Sequence, residues 1–157
     1  MTEAIQIKHS KVVGVRTSIF TIFHPEKYDP RAIPAAWQEF FAKAHGSELL
    51  NRETFYGATI PSMDMDKPMD YFAGALVDLD FEVPTGFESV EIPVGDYLQV
   101  SHVGPITNIA ASYQRAYMVE VSASGREMRP APHLEIYDSQ LDPMSDDYTM
   151  IIGVPVS

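Results

Sequence analysis

Cysteine is absent from the 157 residues, which excludes disulfides and thiolate metal sites. Basic residues are scarce: 11 Lys and Arg against 22 Asp and Glu give a formal net charge of −11. Phosphate contacts need a basic footprint, so direct nucleic-acid binding is not expected. An acid surplus keeps a protein soluble and steers cations toward it. No apolar run approaches the ~20 residues of a membrane span. The opening MTEAIQIKHSK lacks the basic-then-apolar order of a secretory signal. A cytoplasmic protein without membrane contact is expected. The GxSxG elbow, the GxxxxGK phosphate loop, GxGxxG and HExxH are all missing, so no standard hydrolase, nucleotide or zinc-protease site is indicated. His9, His24, His45, His102 and His133 show no paired spacing. Neither a metal nor a cofactor is expected.

What is present suits one compact domain over 1–157. Residues 4–8 and 11–20 are rich in β-branched residues and predict strands. A helix is predicted over 34–45, opening at Pro34 and capped near Gly46. Ile33, Trp37, Phe40, Phe41 and Ala44 form its apolar face. Strands follow at 55–60 and 71–79, with the Pro- and Asp-rich loop 61–70 between them. The second half repeats the order: strand material at 87–94 and 97–103, a helix over 107–121, a loop over 122–132, then strands at 133–138 and 148–156, separated by a polar loop. Ile109, Tyr113, Ala116, Tyr117 and Val121 make the apolar stripe of the second helix.

The halves, approximately 4–80 and 87–156, read as copies of one β-α-β-β unit. KVVGV at 11 matches DYLQV at 96, FYGATIP at 55 matches HLEIYDS at 133, and YFAGALV at 71 matches YTMIIGV at 148. Their shared order carries more than any single match. The fold class expected is α+β: two pseudo-symmetric halves with antiparallel sheets and one main helix each. The groove where they meet is a favoured place for a ligand.

Within HLEIYD, alternation puts Glu135 on one face with His133 and Tyr137, and Leu134 and Ile136 on the other. A carboxylate left unpaired in a buried strand is costly, and a cationic ligand is one partner that would explain it. A solvated strand face is the other explanation. The chain also carries 8 Tyr, 8 Phe and 1 Trp. Tyr56, Tyr71 and Tyr148 lie in or at the start of predicted strands, Tyr113 and Tyr117 on the second helix, and Trp37 on the first. Aromatic faces attract cations, by about 2 kcal/mol when desolvated. Phe40 and Phe41 are expected in the core, as apolar helical stripes usually are. The paired acids Asp64/Asp66 and Asp146/Asp147 fit loop capping.

The ordered set FYGATIP, FESVEIPVGDYLQVSHVGP, SYQRAY, HLEIYD and DDYTMIIGVPV resembles the GyrI-like domain, the effector-binding domain of multidrug-sensing transcription activators. The resemblance covers roughly residues 4–156. It implies a central acidic residue on the strand before last, here Glu135. It also implies pocket tyrosines at Tyr56 and Tyr148, and a tryptophan facing the pocket from the first helix, here Trp37. Tyr71 and Tyr113 complete the expected ligand set. The expected partners are lipophilic organic cations bound without catalysis. A small hydrolase using Glu135 as general base with Tyr148 as proton donor is the alternative, and a gyrase-binding protein a third reading. The chain begins directly in its first strand with no helix-turn-helix before it, so direct DNA-dependent regulation is not expected, and a partner protein, a regulator or gyrase, stays open. A monomer or a homodimer fits equally.

Overall fold

The structure is a computed structural model that describes residues 3–20, 24–62, 64, 66–138, 142 and 144–157. The loops expected at 61–70 and 139–147 therefore fall partly outside the described residues. Among the described residues eight strands form: β1 (Glu3–Ile7), β2 (Ser10–Ile19), β3 (Thr54–Ile60), β4 (Met69–Val77), β5 (Glu88–Ile92), β6 (Gly95–Val103), β7 (His133–Asp138) and β8 (Thr149–Val156). Each expected strand is found, with ends within two residues of expectation and β7 at the expected bounds. They make one sheet rather than two, in the order β1-β6-β8-β7-β3-β4-β2-β5. Every pairing in it is antiparallel.

That order is a palindrome of the two halves. Exchanging β1 with β5, β2 with β6, β3 with β7 and β4 with β8 gives the same order read from the other end, as an internal twofold requires. The pseudo-axis passes between the central strands β3 and β7. The outer strands are exchanged: β1 pairs with β6 and β5 with β2. Glu3↔Gln99 runs to Ile7↔Gly95, and Ser10↔Ile92 runs to Gly14↔Glu88 in the same frame. One long ribbon thus bends where Lys8 and His9 face Pro93 and Val94. Because that bend joins strands at opposite ends of the order, the sheet must curl. Its inner face is a core drawn from seven strands: Ile7, Val12, Ala58, Phe72, Ile92, Tyr97 and Leu134.

The outer face is covered by helices. α1 (Ala32–Lys43) starts two residues ahead of Pro34, which sits in the first turn where its missing N–H does no harm. Ala36 and Phe40 are buried on α1, against Val13, Phe55, Tyr71 and Ala73. Phe41 departs from expectation: it is 40% exposed, with its ring against Trp37 and Phe55. The second helical segment is longer than the sequence suggests. A 3-10 turn (Ile106–Asn108) leads into α2 (Ile109–Arg115), a π-helical turn (Ala116–Glu120) and α3 (Val121–Ser124). It stops at Gly125, whose φ of 72° needs a residue without a Cβ. Its predicted stripe packs on Leu98, Val100, Met150, Ile152 and Val154. No helix among the described residues is long and apolar enough to cross a membrane.

Candidate functional site

β7 supplies the centre. Its alternation sends Leu134 into the inner core and turns His133, Glu135 and Tyr137 to the helix side. Glu135 is paired with Gly57 of β3, on the pseudo-axis, in the gap between α1 and the second helical segment. It is 7% exposed. Its carboxylate is not unpaired, which corrects the simplest expectation. Among the described residues three phenols donate to it: Tyr71 to Oε1 at 2.9 Å, Tyr137 to Oε1 at 2.7 Å, and Tyr113 to Oε2. Trp37 Nε1 donates to the Tyr71 hydroxyl at 2.9 Å, completing a relay from α1 to the carboxylate. Among the described residues, no lysine, arginine or histidine forms an ion pair with it.

Gly57 makes this arrangement sterically possible. A Cβ there would collide with the Tyr71 hydroxyl, lie 2.9 Å from its Cζ and 3.1 Å from Glu135 Oε1. The FYGATIP segment stands out in the sequence, but the need for this glycine does not. It follows only from knowing that residue 57 faces residue 135.

Burial raises the Glu135 pKa above the usual carboxylate range, against the hydrogen bonds of Tyr137 and Tyr71 that lower it. Desolvation wins because the donors are neutral phenols rather than cations. The same burial, with the Glu135 charge nearby, pushes Tyr71 and Tyr137 well above the ordinary phenol value. Tyr148 rises to about 12 by burial and then by the Glu135 charge. Tyr28 rises for the same two reasons, from the loop before α1. At neutral pH these phenols stay protonated, and Tyr71 and Tyr137 donate to the carboxylate.

Of the predicted set, Glu135, Tyr71, Tyr113 and Trp37 are brought together directly. Tyr71 is fully buried and engaged both as donor and acceptor, so it supports the carboxylate rather than offering a free face. Tyr148, 3% exposed, packs with Met150 and Ile152 on the helix side. Tyr56 is a correction: it pairs with Ile136, not Glu135, and packs in the inner core with Ala58 and Leu134 on the opposite face of the sheet. The equivalence of Tyr71 with Tyr148 is also corrected. With Tyr56 matched to Leu134, the cross-strand pairs match Gly74 to Gly153 and Tyr71 to Met150. Tyr148 precedes β8. Alternation puts Tyr137 on the Glu135 face, although the expected ligand set does not include it. It donates to the carboxylate and meets Trp37 edge-on at 5.1 Å.

Two rungs cross from the second helical segment to β7. Tyr113 reaches Glu135, and Tyr117 lies 2.6 Å from His133 Nδ1. The two phenol rings are parallel within 5°, with centroids 6.2 Å apart. Burial presses the His133 pKa down to about 4, so its ring is neutral at pH 7. An open depression of about 410 Å³ lies elsewhere, between Lys8, Arg52, Asp78, Asp80 and Phe81. It contains none of the predicted site residues, and its two cations and two carboxylates compensate each other.

The transcriptional regulator BrlR of Pseudomonas aeruginosa is 28% identical over 116 residues, 69% of this chain, which spans 42% of that regulator. The structure of SAV2435 bound to tetraphenylphosphonium superposes with a TM-score of 0.73 at 16% identity, over 100% of this chain and 94% of that one. A hydrolase encoded by lin2189 of Listeria innocua superposes with a TM-score of 0.58 at 17% identity, over 99% and 91%. At those identities the two structures speak for the fold alone. The model of the GyrI-like small molecule binding domain matches residues 4–157, and the chain belongs to that family.

Proposed function

We propose that this domain binds bulky, lipophilic organic cations, with the Glu135 carboxylate as the electrostatic centre of the site. One observation carries the reading: a nearly buried carboxylate is held by phenols alone, without a cationic partner among the described residues, and is ringed by half-buried aromatics. A delocalised cation sheds its hydration at little cost, pairs with the carboxylate and meets the faces of Trp37, Tyr113 and Tyr137. Oε1 is committed to Tyr71 and Tyr137, both on strands, whereas among the described residues Oε2 accepts from Tyr113 alone. The cation therefore approaches Oε2 and takes the place of the Tyr113 hydroxyl. That the structure of SAV2435 was determined with tetraphenylphosphonium supports the ligand class.

Titrating tetraphenylphosphonium and neutral triphenylphosphine oxide into the wild type and Glu135→Gln tests this. The cation should weaken by about 1–3 kcal/mol, the scale of contacts to a charged group, and the neutral compound much less. Equal cation affinities would remove Glu135 from the site. The second reading is hydrolytic. The raised pKa of Glu135 suits a general base, and a phenol beside Oε2 suits a proton donor. Tyr113 fits that donor role by position better than Tyr148. Turnover of a strained electrophile by the wild type and not by Glu135→Gln, followed by mass spectrometry, would favour it.

A further inference from the structure

The contacts of Tyr117 with His133 are not used by the cation at Glu135, yet they are built into the same wall. On β7, residues two apart share a face and stand about 6.6 Å from each other. On a helix, residues four apart rise about 6 Å. The near match of these repeats sets Tyr113 on Glu135 and Tyr117 on His133 as consecutive rungs. The wide π-helical turn at Ala116–Glu120 lies at the second rung, and such turns recur at functional sites. Both rungs are half-buried on their helix side, and the parallel phenol rings form one continuous aromatic surface between them.

The rungs differ in chemistry. The first ends in a carboxylate. The second ends in an imidazole, neutral at pH 7, whose Nε2 meets no hydrogen-bond partner among the described residues. A neutral imidazole and a phenol can each donate and accept. They select for hydrogen-bonding groups and do little for charge.

We propose that His133 and Tyr117 form a second, uncharged hydrogen-bonding subsite one rung along β7 from Glu135, so that the preferred ligands are aromatic cations carrying a hydroxyl or carbonyl group at that distance from the charge. The proposal rests on the cation reading of Glu135 and narrows it from lipophilic cations in general to bifunctional ones. A ligand of this class lays its charge against Oε2, its aromatic body along the Tyr113 and Tyr117 rings, and its polar group at His133.

A matched pair of probes separates the two subsites: tetraphenylphosphonium and its (4-hydroxyphenyl)triphenylphosphonium analogue, titrated by calorimetry at pH 7. The wild type should prefer the hydroxylated cation by about fivefold, the scale of one net hydrogen bond. In His133→Phe the preference should fall to about twofold or less on that scale, while the affinity for tetraphenylphosphonium stays nearly unchanged. Tyr117→Phe keeps the stacked ring and should lose part of the preference, which provides a second variant if His133→Phe folds poorly. Glu135→Gln should weaken both probes alike and leave their ratio intact. Equal wild-type affinities for the two probes, or a preference that survives in both variants, overturns the subsite. If Glu135→Gln weakens both probes at the same time, the cation reading stands and only this inference falls. If the wild type binds neither cation, both fall together.

Discussion

Gly57 and Glu135 face each other across β3 and β7 on the pseudo-twofold axis, and the space that a side chain at 57 would fill holds the Tyr71 hydroxyl and the Glu135 carboxylate. The repeat that builds the fold is thus broken at its centre. One copy supplies the charge and the other supplies room for it.

Gly57→Ala should therefore damage the site from the neighbouring strand. The added methyl must push against a fully buried tyrosine, and overpacking of that kind costs about 1–3 kcal/mol. Thermal unfolding should show the loss. Tetraphenylphosphonium affinity should fall too, although residue 57 bears no group that touches the ligand. An unchanged melting temperature and affinity would show that the site relaxes freely.

Removing the carboxylate has two different costs. Glu135→Ala leaves the Tyr71, Tyr137 and Tyr113 hydroxyls without their acceptor. Unsatisfied buried groups cost about 1–3 kcal/mol each, partly recovered here by water at the more open rungs. Glu135→Gln retains an acceptor for Tyr71 and Tyr137 and removes a desolvated charge, so its stability should lie within about 1 kcal/mol of the wild type. Chemical denaturation of both variants checks the order. Alanine no worse than glutamine would mean that the phenols find other partners.

Tyr113→Phe keeps the ring and deletes the hydroxyl that occupies Oε2. Cation affinity should rise by roughly threefold to tenfold, because a competing hydrogen bond worth about 1 kcal/mol is gone. Tyr137→Phe, which acts on Oε1, should not raise it. A fall in affinity in Tyr113→Phe would show that the hydroxyl helps to hold the ligand.

The pH dependence follows from the raised Glu135 pKa. In the unfolded chain the group titrates at its ordinary value of 4.5. The folded protein holds the proton more tightly, so this group favours folding below 4.5. That contribution is lost as pH rises from 4.5 to the higher folded value. Cation binding runs the other way, because only the carboxylate attracts the ligand. Affinity for tetraphenylphosphonium should increase with pH above 4.5 and level off once Glu135 is ionised. Glu135→Gln should abolish that rise. A flat wild-type profile would separate the binding site from this carboxylate.

Much of this was legible in the sequence because strands and helices have fixed periods. Alternation in HLEIYD placed His133, Glu135 and Tyr137 on one face, and helical spacing placed Tyr113 and Tyr117 on one stripe. The relation between strands was not legible. Tyr56 was assigned to the ligand set, but a strand's facing depends on its register, and one residue of shift turns every side chain over. Tyr56 pairs with Ile136 and so faces the inner core. Tyr148 resembles Tyr71 in the local string YTMIIGV, yet the cross-strand pairs give that place to Met150. The π-helical turn at Ala116–Glu120 leaves no mark in composition or periodicity.

The exchanged outer strands bear on how such a molecule could exist as less than a whole. Either half alone would expose the flank of β2 or β6 that the other half's β5 or β1 now covers. An isolated half would meet that need by trading strands with a second copy of itself. In such a dimer the positions of Gly57 and Glu135 would carry the same residue. Two glycines would provide no charge, and two glutamates would compete for one space while repelling each other. A lone anion at the centre is available only to a chain that carries both halves, where one copy has been free to lose its side chain.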